Sequence, residues 1–387
     1  MQLLLKYVIS ESRVADKFMS EAIDEELRLT RTNSQNEIYE PESVNPEDIS
    51  QLSIEDLDGV QGDGTWQRRG HISYNGVFTI LGQESGKIID LEVLSSYCLW
   101  IHGSEGTKEW EIWYSAYLPS CTKNHWGSSG SMESSAIVDI FSRSIEKYNV
   151  KYMSYLGDGD SSTFSNIINS KPYGTHVTIS QKECCDHVQK RFGTQLRNLK
   201  KNKKLGGKGK LTDNIIDTLQ TYYDNAIREH RDSIEDMTRA IWYMHCPGSN
   251  SCCKYQKAVA EGKQDAYVHP QTLPEEIFNE IKVVFEKLSE PELLRKCLGG
   301  KTQNANESFN NVLWNIAPKT DFVGLETLQI SAFLACIMFS SGWKGLLYLM
   351  SELNIKPGKN ALFVAEDCYA FQLLMMVHII NSRQYIV

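Results

Sequence analysis

Long, clean apolar runs are missing from this chain of 387 residues, which argues against a membrane-spanning protein. The strongest run, residues 328–349, is broken by Ser, Gly and Lys and reads as a buried C-terminal helix. The apolar start Met1-Gln2-Leu3-Leu4-Leu5-Lys6 lacks the basic opening and small-residue cleavage site of a signal peptide. Positive charge is also short: 40 Lys and Arg against 49 Asp and Glu give a net charge of −9. A protein dedicated to coating nucleic acid needs the opposite balance. The ten cysteines follow no standard zinc-finger spacing, and half of them, such as Cys98, Cys121 and Cys336, are isolated. With 41% apolar and 23% charged residues, the chain has the composition of a globular protein, expected to be intracellular and long enough for two or three domains.

The pattern of elements changes along the chain. Residues 1–56 are polar and acidic, helical around residues 14–29 and linker-like over residues 30–49, and are expected to form a frayed extension. Residues 70–80 and 87–96 are β-rich and joined by Gln83-Glu84-Ser85-Gly86, a hairpin signal. Residues 131–148 carry Ile137, Ile140, Phe141 and Ile145 at helical spacing. A short strand over residues 150–156 ends at Asp158, and a second strand is expected over residues 175–179. Residues 211–298 read as helices only: 213–228, 233–244, 274–288 and 291–298. Three antiparallel strands, a helix, a strand ending in an acid, then helix and strand is the ribonuclease-H-like order. The expected fold is therefore α/β, a ribonuclease-H-like mixed-sheet core. Its parts are a core over 57–200, an all-helical insertion over 201–298, and core completion with C-terminal helices over 299–387.

Three short segments offer carboxylates far apart in sequence: Gly62-Asp63-Gly64-Thr65-Trp66-Gln67, Gly157-Asp158-Gly159-Asp160-Ser161, and Asn306-Glu307-Ser308-Phe309-Asn310. Carboxylates gathered by a fold are what two divalent cations need to activate an attacking oxygen and stabilise a leaving one on phosphorus. Hard cations take oxygen ligands, and Mg²⁺ is held by one or two carboxylates plus water and phosphate. Gly beside Asp63 and Asp158 allows tight turns and close approach of a ligand, although an Asp in a turn is common in its own right. Asp160 competes with Asp158 for the ligand role. One local feature stands against Asp63: the segment before it, residues 55–62, has two Gly and three acids and makes a poor strand.

Together with Leu205-Gly206-Gly207-Lys208-Gly209-Lys210-Leu211-Thr212-Asp213 and Gly300-Lys301-Thr302-Gln303-Asn304, these segments resemble, in order from about residue 57 to 327, the Mutator-like transposase domain of invertebrate mobile elements. The resemblance implies an Asp-Asp-Glu site of Asp63, Asp158 and Glu307 that holds two Mg²⁺ or Mn²⁺ ions and cuts and joins DNA. It implies as partners DNA, both element ends and target, and a nuclear location. Asn306 and Asn310 flank the acid and could bind phosphate or orient a carboxylate. The distance from Asp158 to Glu307 requires an insertion if both serve one site.

Other residues carry secondary expectations. A basic run over residues 190–210 contains Arg197, Lys200, Lys201, Lys203 and Lys204 and no acid, which suits a phosphate track or a nuclear import signal and equally a solvated helix face. Arg68 and Arg69 follow the first acid and match phosphate by their planar fork. Trp66 could stack on a base. His125 and Gly127-Ser128-Ser129-Gly130 resemble an anion-binding helix start. Cys184-x-x-His187 recurs in this family, and with Cys246 and Cys253 it could supply four structural zinc ligands. An acidic chain that binds DNA is expected to work as a homo-oligomer. Two rival readings are an inactive, domesticated or truncated binding relic, favoured by the poor first strand and the lack of a recognisable DNA-reading module, and a nuclease without the joining step.

Overall fold

The computed structural model describes residues 2–35, 54–68, 73–97, 107–118, 121–159, 161–207, 209–242, 258, 261–263 and 273–363. The fold is mixed α/β and divides into two compact units. One comprises Met1–Met153, Ser162–Ile179 and Asn304–Val387; the other comprises Ser154–Ser161 and Ser180–Gln303.

The first unit is built on an antiparallel meander of β2 (Val60–Trp66), β3 (Asn75–Gly82) and β4 (Ile88–Ser95), with the hairpin turn where the sequence places it. A short parallel pair, β1 (Glu55–Leu57) with β5 (Val150–Tyr152), accompanies it. Alternation sorts the side chains onto two faces. Val77, Leu81, Leu91 and Val93 share a core with Val14 and Met19 of α1 (Gln2–Gln35). Phe309 and Leu313 of α10 (Asn304–Ile316), and Leu328, Ala332 and Cys336 of α11 (Leu325–Glu352), complete that core. The other face meets α3 (Ser129–Tyr148), whose Ala136, Ile137, Ile140 and Phe141 are buried. Two further helices, α2 (Lys108–Tyr117) and α4 (Ser161–Ser170), complete the first half of the chain.

Three expectations need correction here. Strand β2 is not degraded: all seven residues pair with β3, Asp63 opposite Thr79. Gly64 is there for space, since a Cβ on it would lie 3.0 Å from the Trp66 ring and 3.1 Å from a Glu133 oxygen. The N-terminal segment is not frayed in its helical part: α1 buries Val14, Ala15, Met19, Ala22 and Ile23. Its Glu26 accepts from the backbone N–H groups of Glu84 and Ser85, holding the hairpin turn. Met19→Ala is therefore expected to lower stability by about 2–3 kcal/mol in denaturant unfolding, as cavities in packed cores do; a frayed segment would lose nothing. Finally, α11 is long and apolar enough to cross a membrane by length and composition. Leu328, Ala332 and Ala335 are nonetheless buried in the core described above, and Gly342 (φ 59°) kinks the helix.

The second unit has a parallel pair, β6 (Ser154–Gly157) and β7 (Ser180–Glu183), and the helices α5 (Cys185–Lys203), α6 (Asp213–Glu229), α7 (Ile234–Ile241), α8 (Glu275–Leu288) and α9 (Pro291–Lys296). The expected strand over residues 175–179 is displaced to Ser180–Glu183, which pairs with Ser154–Gly157 in register. β-Branched content marked the wrong residues because strand formation is decided by the neighbour available to pair with. The helices follow their sequence periodicity closely. Phe192 of α5 stacks on Tyr223 of α6 at 4.5 Å and meets Phe285 of α8 edge-on at 5.0 Å. The Tyr223 hydroxyl donates to the Leu288 carbonyl at 2.6 Å, so the buried phenol is satisfied.

Candidate active site

Asp63 sits in the middle of β2 on the face that receives α10. Two polar contacts fix the helix to the strand. Asn310 Nδ2 donates to Asp63 Oδ2 at 2.8 Å, and Trp314 Nε1 donates to Thr65 Oγ1 at 2.8 Å. Residues 63 and 65 share a strand face, and residues 307, 310 and 314 share a helix face, so the two periodicities mesh. Phe309 and Leu313, both fully buried, supply the apolar anchor on the adjoining stripe. Glu307 is exposed in the first turn of this helix, where the helix dipole favours a carboxylate. The first unit thus brings Asp63 onto the helix that carries Glu307.

The amide groups on α10 are incompletely used. Asn306 is fully buried; its Nδ2 lies 3.5 Å from Thr79 Oγ1, and its Oδ1 has no hydrogen-bond partner. Asn310 Oδ1 is likewise buried without a partner. Of the two, Asn310 is the amide that meets a carboxylate, since its Nδ2 donates to Asp63.

Asp158 follows β6 directly and is exposed, at the carboxyl end of a parallel strand as expected. It belongs to the second unit. Its neighbour Gly159 has φ 87°, a conformation that glycine adopts without strain. Among the described residues, no three His, Cys, Asp or Glu side chains are gathered as a metal cluster. Asp160, Arg69, Cys246 and Cys253 lie outside the described residues.

Cys184 is the N-cap residue of α5, and the backbone N–H of His187 donates to the Cys184 carbonyl at 3.0 Å. Burial pushes the Cys184 thiol up, and the backbone N–H groups of His187, Gln303 and Asp186 offset only part of that. The C-x-x-H spacing therefore places Cys at the cap and His on the third helical residue, a local arrangement that stands without metal. Cys185 is a buried free thiol that donates to the Cys297 carbonyl at the end of α9 at 3.9 Å; a hydrogen bond between the two side chains holds the Cys185 thiol below its usual range and raises that of Cys297.

The basic run on α5 is partly neutralised. Arg197 pairs with Asp217, Lys200 with Asp213 at 2.9 Å, and Lys203 with Glu280. Lys190, Lys201 and Lys204 are exposed and have no ion pair among the described residues. Lys190 and Lys201, eleven positions apart, fall on one helix stripe, and Lys204 is the left-handed C-cap residue just beyond it. Arg68 is exposed just past β2. Trp66 points to the α3 side, where Nε1 donates to the Ser129 carbonyl at 3.1 Å, so it is a packing residue rather than a free stacking surface. His125 Nε2 lies 3.1 Å from Ser131 Oγ and 3.2 Å from the Ser128 carbonyl at the start of α3.

The family model for Mutator-like transposase matches residues 17–259. The chain belongs to the Mutator-like transposase family. The match takes in Asp63, Asp158, the Cys184-x-x-His187 element and the basic run of this Mutator-like protein, and ends before Glu307. No curated protein and no solved structure matches the chain. One residue escaped the sequence reading: Glu183, at the end of β7, whose partner Arg191 on α5 was read only as part of the basic run. Glu183 ends a strand parallel to that of Asp158, a position that marks ligand-side residues, but the misplaced strand over 175–179 hid it.

Proposed function

We propose that this Mutator-like protein is a DNA transposase with a ribonuclease-H-like core, in which Asp63, Asp158 and Glu307 hold two Mg²⁺ or Mn²⁺ ions. The observation that carries the reading is the Asn310–Asp63 hydrogen bond, which ties the strand of one carboxylate to the helix of another. Such ions, when bound, would polarise phosphorus-bound oxygens and favour both attack and departure. The chain's own part is positional. Asn310 donates to Asp63 Oδ2 and so fixes the direction in which the carboxylate points. The unpartnered oxygen of Asn310 would add a neutral donor to the carboxylates, and oxygen donors are what a hard cation takes. In this reading water displaces the 3′-oxygen of a DNA phosphodiester, and the freed 3′-hydroxyl then attacks a target phosphodiester. Each step makes one P–O bond and breaks one.

Zinc fits less well. Cys184 and His187 supply two ligands of four, and burial moves the Cys184 thiol away from the thiolate that zinc needs. The inactive relic loses one of its two supports, because β2 forms a complete ladder.

Lys190, Lys201 and Lys204 would track the DNA backbone, and the same run would direct the protein to the nucleus. Each Lys→Gln change there is expected to reduce the slope of log affinity against log salt by about one. Arg197→Gln, whose charge Asp217 already offsets, should change it less. Titration of a short duplex across salt concentrations reads this directly. The test of the whole reading is Mn²⁺ calorimetry on the wild type, Asp158→Asn and Glu307→Gln. Loss in both variants supports it. A well-folded wild type that takes no Mn²⁺, even with duplex DNA present, overturns it.

A further inference from the structure

We propose that Arg191, through its ion pair with Glu183, is a positioning residue for Asp158; the inference rests on the reading of Asp158 as a metal ligand. Three observations converge within the second unit. Glu183 is the Cα partner of Gly157, the residue immediately before Asp158, so its side chain emerges at the same end of the parallel pair. It is 6% exposed and pairs with Arg191, two turns into α5. Gly159, immediately after Asp158, closes against that same pair: a Cβ there would lie 3.1 Å from Glu183 Oε2 and 3.5 Å from Arg191 Nη1.

Asp158 is thus bracketed. The residue before it is held by the strand ladder, and the residue after it rests on the Glu183–Arg191 pair in a backbone conformation that side-chain-bearing residues rarely adopt. This also gives a physical reason for glycine at the third position of Gly157-Asp158-Gly159. A bulkier residue would have to displace the ion pair or turn the loop, and the carboxylate would turn with it. Glu183 is not proposed as a ligand, because its charge is already matched by a guanidinium. Removing Arg191 strands a buried carboxylate next to the loop. Groups that orient metal ligands without touching the metal typically change affinity by about 10–100-fold.

The experiment is Mn²⁺ titration of the full chain by calorimetry, with a thermal melt of each variant without metal. Arg191→Gln is expected to weaken Mn²⁺ binding about 10-fold or more. Arg191→Lys, which keeps the charge but not the fork, should restore part of it. The Glu183→Gln/Arg191→Gln pair, which removes both charges and keeps the bulk, should come within about threefold of wild type. Should Arg191→Gln merely unfold the protein, the folded double variant and Gly159→Ala carry the test, and Gly159→Ala should also weaken binding. Wild-type affinity in Arg191→Gln and Gly159→Ala overturns the positioning role while leaving Asp158 a ligand. Equal binding by the wild type and Asp158→Asn overturns the reading of Asp158, and the positioning role with it.

Discussion

Arg143→Met is expected to destabilise the first unit by about 3–5 kcal/mol, the usual consequence of removing one partner from a buried ion pair. Asp90 in β4 is fully buried, and its carboxylate is met from α3 by Arg143 Nε at 2.9 Å and Nη2 at 3.0 Å. The same guanidinium also reaches Glu92 and the Leu91 carbonyl, so one side chain satisfies two carboxylates and a backbone acceptor. Lys147, 3.3 Å from Asp90, would take up part of the loss. That places the expected value toward the lower end of the range. Replacing both partners, as in Asp90→Leu/Arg143→Leu, should recover most of the stability, because the cost lies in the stranded charge rather than in the absence of a pair. Urea unfolding of the three proteins measures it. A loss below about 1 kcal/mol for Arg143→Met would put this pair with exposed ones such as Arg239–Asp236 and refute the argument.

Asp90 also illustrates what the sequence could and could not convey. The hairpin was legible because its strands are β-rich and its turn is polar. The helices of the second unit were legible because Ile216, Leu219, Tyr223 and Ile227 repeat at helical spacing. A buried Asp in a strand cannot be distinguished from a surface one until its partner is known, and Arg143 lies 53 positions away. The N-terminal helix was misjudged for a related reason. Its acids and serines made it look like an extension, yet Val14, Ala15 and Met19 are buried in a core that includes Leu328 and Ala332, some three hundred residues later. Local composition reported the outer face, and tertiary packing used the inner one.

The candidate site divides in the same way. Asp63, Asp158 and Glu307 were nominated by short motifs, and Asn310 was already a candidate for orienting a carboxylate. What the motifs could not supply is register: which strand face Asp63 occupies, and that Asn310 rather than Asn306 meets it. Glu183 was invisible because strand content was assigned to the wrong five residues. The charges on α5 read as one run in sequence, and only the positions of Asp213, Asp217 and Glu280 separate neutralised cations from available ones.

Asp63→Asn is expected to lower Mn²⁺-dependent DNA cleavage by about 10³-fold or more, on the order of 4 kcal/mol of transition-state stabilisation. The substitution is nearly isosteric, and β2 with its ladder to β3 should remain, so the melting temperature should move little. The reason for so large an effect is the direction imposed by Asn310. Its Nδ2 donates to the Asp63 side chain, so in the Asp63→Asn variant the new amide must turn its oxygen toward Asn310 to keep that bond. One carboxylate oxygen is thereby replaced by an NH₂ group, which is no ligand for a hard cation, and the negative charge is withdrawn. Asn310→Leu should act differently: it frees the carboxylate without removing it, so cleavage should fall by only about 10–100-fold, as for other groups that orient a ligand. Gel assays of nicking and of joining by a 3′-hydroxyl oligonucleotide, run side by side on both variants, separate the cases. Nicking lost in Asp63→Asn and weakened in Asn310→Leu, with joining following the same order, is the pattern of one site performing both steps. Nicking without joining in the wild type would point to a nuclease. Cleavage retained within tenfold in Asp63→Asn would remove Asp63 from the reaction, because no other change at that position keeps the strand so nearly intact while withdrawing the charge.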